Sequence, residues 1–140
     1  MLLEADDIRK VFNTRDGEFV ALDGLSLHVD EGERVGLIGE SGSGKTTLAN
    51  VLLGLELADG GSVEFEGNDL EVSAPRRKRS PGAKLALLDM QMVFQHPAAT
   101  FSDRMHLIDG IAEGLVYHGE FSRDEALGRA LEAMEEVGLP

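Results

Sequence analysis

The sequence predicts an α/β protein, on three observations. Residues 6–39 are β-rich, with short alternating stretches ending in the apolar run "RVGLIG". From Thr46 onward the hydrophobic period changes from that of a strand to that of a helix, with Leu48, Val51, Leu52 and Leu55 on one face. The turn between them, "GESGSGKTT", places three glycines ahead of a single lysine.

Taken in order, "DIRKVF" and "VALDGLSLHV" predict two strands, the second alternating from Leu25 to Val29. "DEGE" is a turn, and residues 34–39 have the length and apolarity of a buried strand. After the helix, "ADGG" turns the chain into a further strand, "SVEFEG". Residues 69–84 form a polar connection containing "RRKR", read as a solvated loop, and "LLDMQMVF" predicts another strand, broken at "HPAAT". Two helices follow. Ile108, Ile111, Ala112 and Leu115 share a face of the first, although Gly110 and Gly114 weaken it. The second opens on a Ser122/Glu125 capping box and carries a stripe of Leu127, Ala130, Leu131, Met134 and Val137. Gly138 and Pro140 end it.

The bulk numbers exclude several classes. The 140 residues, 42% hydrophobic and 28% charged, suit one soluble domain or part of one. No apolar run approaches the roughly 18 residues of a membrane helix, and the N-terminus lacks the pattern of a signal peptide. The absence of cysteine removes disulfides and thiolate metal sites. A formal charge of −13 opposes general nucleic-acid binding. A cytoplasmic protein is expected.

Gly39, Gly44, Lys45 and Thr46 match G-x-x-x-x-G-K-[ST] between a predicted strand and a predicted helix. A phosphate chain seats on bare backbone N–H groups at a helix N-terminus, where the dipole favours negative charge. A Cβ at Gly42 or Gly44 would obstruct that approach. Lys45 would reach the β- and γ-phosphates, Thr46 would offer its hydroxyl to Mg²⁺, and Thr47 adds a donor near the α-phosphate. Glu40, Ser41 and Ser43 complete the loop. A third glycine in the dinucleotide-binding spacing is missing, so the motif points to a nucleoside triphosphate. A second metal anchor is expected at the end of a buried strand. Asp30 and Glu31 precede the loop, which leaves Asp89, after "LALL", as the more serious candidate.

"MQMVFQHP", taken with "VGLIGESGSGKTTLANVLLGL", resembles the ATP-binding subunit of an ABC transporter, most nearly the dipeptide, oligopeptide and nickel importer group. The likeness covers nearly the whole chain. It implies a P-loop NTPase with a RecA-like core, an antiparallel β subdomain and the start of a helical subdomain, incomplete at residue 140. On that pattern residues 1–95 hold the β subdomain and P-loop core, and 96–140 begin the helical subdomain. Phe12 falls where the family stacks an aromatic on adenine; packing into the core is the competing reading. Gln95 resembles the Q-loop glutamine, which touches Mg²⁺ and the attacking water, as an amide oxygen can. With Lys45 it would be catalytic, and with Thr46 it would ligand the metal.

The resemblance implies ATP and Mg²⁺ as cofactors, a second ATP-binding subunit and transmembrane permease subunits as partners, and a cytoplasmic position on the inner face of the membrane. It implies ATP hydrolysis powering import of peptides or a related solute. The family's signature "LSGGQ", its Walker B strand and its switch histidine would lie beyond residue 140, so the 140 residues alone are expected to be catalytically incomplete. Two other readings of the residues stay open: a compact P-loop NTPase or kinase anchored on Asp89, and a non-catalytic nucleotide-binding interaction module.

Overall fold

The computed structural model describes residues 1–96, 101–102, 104–119 and 121–139. The chain divides into two compact units, Met1–Met92 and Val93–Pro140.

The first unit is built on two long strands, β1 (Leu3–Thr14) and β2 (Gly17–Val29), paired antiparallel through a turn at residues 15 and 16. Strand β3 (Gly60–Phe65) pairs antiparallel with the other edge of β1, and the short β4 (Asn68–Asp69) pairs with β3, giving the order β2-β1-β3-β4. Both predicted hairpin strands extend beyond the residues that predicted them.

Alternation along β1 reverses once. Leu3 and Ala5 are buried at odd positions, then Ile8 and Lys10 at even ones. The cause is a bulge. Asp6 pairs with Ser62 and Arg9 with Gly60, so β1 takes one more residue than β3 over this span. Asp7 absorbs it with φ at 49°, and its backbone N–H donates to Ser26 Oγ at 2.9 Å. Gly61 is required opposite, because a Cβ there would lie 2.5 Å from the Asp6 carbonyl oxygen and 2.6 Å from that of Asp7.

Helix α1 (Lys45–Leu52) covers this sheet. Its stripe is confirmed at Leu48 and Val51, which are buried with Ile8, Leu22, Val63, Leu70 and Val72 in one core. Each such aliphatic side chain contributes about 1.5–3 kcal/mol on burial. Leu52 is partly buried, and Leu55 lies beyond the helix end, exposed.

The "RRKR" run departs from a wholly solvated loop. Arg76–Lys78 form an exposed 3-10 turn, but Arg79 is only 3% exposed. Its guanidinium donates to three carbonyls: Ala74 at 2.9 Å, Glu71 at 3.2 Å and Gly54, just past the end of α1, at 3.3 Å. Nη2 has no partner. Burial pushes the pKa of this group down from the usual arginine range. Ser80 then caps the short helix α2 (Pro81–Ala86), accepting from the Ala83 N–H at 3.2 Å.

Two predicted strands are not strands in this structure. Residues 34–39 form no regular element, with Val35, Leu37 and Ile38 exposed, the last by 97%. Residues 87–89 form a 3-10 turn and 90–94 are irregular, with Val93 91% exposed. An apolar strand is held by neighbours on its edges. The described sheet is antiparallel throughout, and neither of its edges takes up these segments.

In the second unit, α3 (Leu107–Tyr117) packs on α4 (Arg123–Glu136). Ile108, Ile111, Ala112 and Leu115 face the pair's interior, as the periodicity predicted. On α4 the buried line is Ala126, Ala130 and Met134 with Leu127 beside it, while Leu131 and Val137 are exposed. The buried stripe is narrower than the predicted one. Pro97–Thr100 of the predicted break and Pro140 lie outside the described residues.

The capping box forms. Ser122 Oγ accepts from the Glu125 N–H, and the Glu125 carboxylate accepts from the Ser122 N–H at 3.0 Å and its hydroxyl at 2.6 Å. Those donors hold the Glu125 carboxyl below the usual carboxylate range. The sign follows. A depressed folded-state pKa contributes stability that is present at neutral pH and is lost as pH falls through that lowered value. Ser122→Ala is expected to cost about 1 kcal/mol at neutral pH. The gap from the unsubstituted protein should narrow in acid, measured by urea denaturation at several pH values. A gap independent of pH would contradict the linkage.

Candidate nucleotide-binding site

The glycine-rich turn leads directly into α1. Gly44 is the N-cap, with φ at 88° and no side-chain cap, and the first intrahelical bond runs from Leu48 N to Gly44 O at 2.8 Å. The N–H groups of Lys45, Thr46 and Thr47 therefore lie in the turn that a helix leaves without internal partners. No acidic side chain stands in that turn. These are the conditions in which a helix start attracts an anion.

Lys45 reaches back across the loop. Its ammonium donates to the Gly39 carbonyl at 2.8 Å, to the Glu40 carbonyl and to Ser43 Oγ at 3.1 Å. Gly39 keeps this arrangement open, since a Cβ there would lie 2.6 Å from Ser43 Oγ and 3.8 Å from Lys45 Nζ. Glu40, Ser41, Gly42 and Ser43 are exposed. A Cβ at Gly42 meets nothing within 4 Å. At Gly44 the obstruction differs from the expected one: a Cβ would lie 2.4 Å from the Ala21 carbonyl oxygen, against β2.

That contact joins the glycine-rich turn to the sheet. Gly44 touches β2 at Ala21 and Leu22, and Leu22 pairs with Lys10 on β1, two residues before Phe12. The phosphate turn thus meets the sheet beside the segment that carries the aromatic. Phe12 is half-buried in β1, opposite Phe19, with the Lys10 ammonium 5.0 Å from its ring centroid. The bulge determines this placement, because it puts Ile8, Lys10 and Phe12 in phase with Leu3 and Ala5.

Gln95 belongs to the second unit, at an exposed bend. Asp89 is exposed on the 3-10 turn after α2, so it lacks the buried strand end that a P-loop metal anchor occupies. Among the described residues no group of three or more His, Cys, Asp or Glu could hold a metal ion. Lys10 and Arg79 were missed by the sequence reading. Each is a cation whose burial depends on acceptors distant in sequence, so no local pattern could flag it.

The ABC transporter family matches residues 22–140. The chain is 37% identical over 139 residues to a peptide import ATP-binding protein of Brucella abortus strain 2308, covering 99% of this chain and 42% of that protein. It is 37% identical over 149 residues to the oligopeptide transport ATP-binding protein OppF of Escherichia coli K12, covering 99% and 43%. It therefore spans less than half the length of these relatives. Among solved structures, a dimeric bacterial ABC transporter cassette aligns with a TM-score of 0.77 at 22% identity, over 99% of this chain and 58% of that one. A dimeric ATP-binding cassette bound to ADP and Pi aligns with a TM-score of 0.74 at 22% identity, over 99% and 58%. The solved structures establish the fold as that of a P-loop ATP-binding cassette, of which the antiparallel sheet, the phosphate turn and the helices described here are parts. By the family match and by identity over nearly its whole length, the chain belongs to the ABC transporter family.

Proposed function

We propose that these residues bind ATP within an ABC transporter ATPase subunit that powers import of peptides or a related small solute. The observation that carries the reading is the Lys45 ammonium spanning a loop that opens onto the first turn of an uncapped helix. A triphosphate fits this donor set: one ammonium, three helix-start amides and the hydroxyls of Ser43, Thr46 and Thr47. Phe12 offers a ring for the adenine.

Magnesium fits the same residues. A P-loop metal is held largely by phosphate oxygens, so a hydroxyl from Thr46 would serve without a carboxylate cluster; Gln95, in the second unit, is proposed as a further ligand on the sequence resemblance alone. When bound, it would neutralise charge building on the phosphates. The chain's own part is to bind and orient: the loop fixes the triphosphate, Lys45 carries charge to it, and Gln95 senses the γ-phosphate. Hydrolysis belongs to the intact subunit. It pairs with a second ATP-binding subunit and with transmembrane permease subunits, on the inner face of the membrane. The relatives' names support the peptide cargo, the dimeric cassettes support pairing, and no described helix is long and apolar enough to cross a membrane. Residues 1–95 supply the β subdomain and P-loop core in this reading, and 96–140 the beginning of the helical subdomain.

Lys45→Ala tests it. Losing charged hydrogen bonds of about 1.5–3 kcal/mol each is expected to weaken Mg-ATP binding about 100-fold or more by calorimetry, with circular dichroism unchanged. Undiminished binding by a folded variant would overturn the assignment.

A further inference from the structure

Lys10 is 7% exposed in a strand that otherwise buries only apolar side chains. Its ammonium makes two contacts. It pairs with Glu56 Oε1 at 2.8 Å and stands over the Phe12 ring at 5.0 Å from the centroid. Glu56 comes from the loop that leaves α1, and that loop is tied to the helix: the N–H groups of Leu55 and Glu56 both donate to the Asn50 carbonyl, at 2.8 and 3.1 Å. Asp59, at the far end of the loop, grips β1 on either side of Lys10. Its N–H donates to the Arg9 carbonyl at 2.8 Å, and its carboxylate accepts from the Val11 N–H at 2.7 Å.

A continuous chain of contacts therefore runs from the helix that opens on Lys45, through Asn50 and Glu56, to the Lys10 ammonium and the Phe12 ring. A cation over an aromatic face holds the ring in one orientation and occupies that face. A flat ligand is left the opposite face only. We infer that Lys10 is a positioning residue for the nucleobase: paired with Glu56, it fixes the Phe12 ring relative to the phosphate-binding helix. The base and the triphosphate are then held at a set separation. This inference rests on the reading of the site as an ATP site, with Phe12 as the base platform.

The test separates base from phosphate. ATP and inorganic tripolyphosphate, each with Mg²⁺, are titrated calorimetrically into the full-length protein and its Lys10→Met, Lys10→Arg, Glu56→Gln and Phe12→Ala variants. Lys10→Met and Glu56→Gln are expected to weaken ATP about three- to tenfold and to leave tripolyphosphate unchanged, with Lys10→Arg recovering most of the loss. A general structural role would weaken both ligands in proportion, which overturns the inference. So does selective loss of ATP in Phe12→Ala with no change in Lys10→Met and Glu56→Gln. Should Lys10→Met not fold, Glu56→Gln decides alone, its carboxylate being 35% exposed. If Phe12→Ala itself leaves the ATP-to-tripolyphosphate ratio unchanged, the base platform is wrong, and that failure is distinct from the first two.

Discussion

Gly44→Ala is expected to destabilise the first unit and remove nucleotide binding together. The residue sits at φ 88°, and its missing Cβ would lie 2.4 Å from a backbone oxygen of β2 and 3.2 Å from Leu22 Cδ2. The left-handed conformation alone costs an alanine about 1–2 kcal/mol. Backbone oxygen cannot swing aside as a side-chain tip can, so α1 must also shift away from the sheet that Leu48 and Val51 pack against. A loss of about 2–4 kcal/mol in denaturant titrations is expected, with Mg-ATP affinity falling at least tenfold in whatever fraction stays folded. Gly42→Ala is the control. It has a similar φ of 81° but open space around it, so only the conformational cost applies. Equal stability losses in the two variants would show that contact with β2 does not matter.

Arg79→Ala should be comparably damaging. Removing the side chain strips the carbonyls of Glu71, Ala74 and Gly54 of a shared charged donor and leaves a void beneath Leu87 and Gly54. A loss of about 3 kcal/mol or more is expected, from unpaired buried acceptors plus a cavity. Arg79→Met keeps most of the volume and relieves the unpartnered Nη2, so it should cost about half as much. The order matters more than the values. If methionine proved as harmful as alanine, the hydrogen bonds would dominate and packing would not; if both were neutral, the guanidinium would be no staple at all.

Local chemistry was legible in the sequence. The phosphate turn, the start of α1, strand β3 and the capping box each depend on residues within a few positions of one another. What the sequence concealed depends on distant partners. "RRKR" looks uniformly solvated because nothing near it reveals that carbonyls at 54, 71 and 74 converge on one of its members. Residues 34–39 and 87–94 have strand composition, but composition cannot say whether a neighbouring strand is there to receive them. The stripe on α4 was drawn too wide for a related reason. Period identifies a face, while the packing of the partner helix decides how much of it is covered. For the site, spacing revealed Lys45 and its loop but not the buried lysine beside Phe12.

The extra residue in β1 gives that strand a property resembling a reading frame. Were the strand to run on through Asp7 with no bulge and no residue lost, it would stay paired, but everything from Ile8 to Phe12 would exchange inside for outside. Val11 would occupy the place of the aromatic, and the buried ammonium would turn to water. In aligning this chain with others, a single-residue gap between Ala5 and Ile8 thus removes the bulge and keeps Phe12 on its face, whereas the same gap between Ile8 and Phe12 would turn the aromatic to the other side.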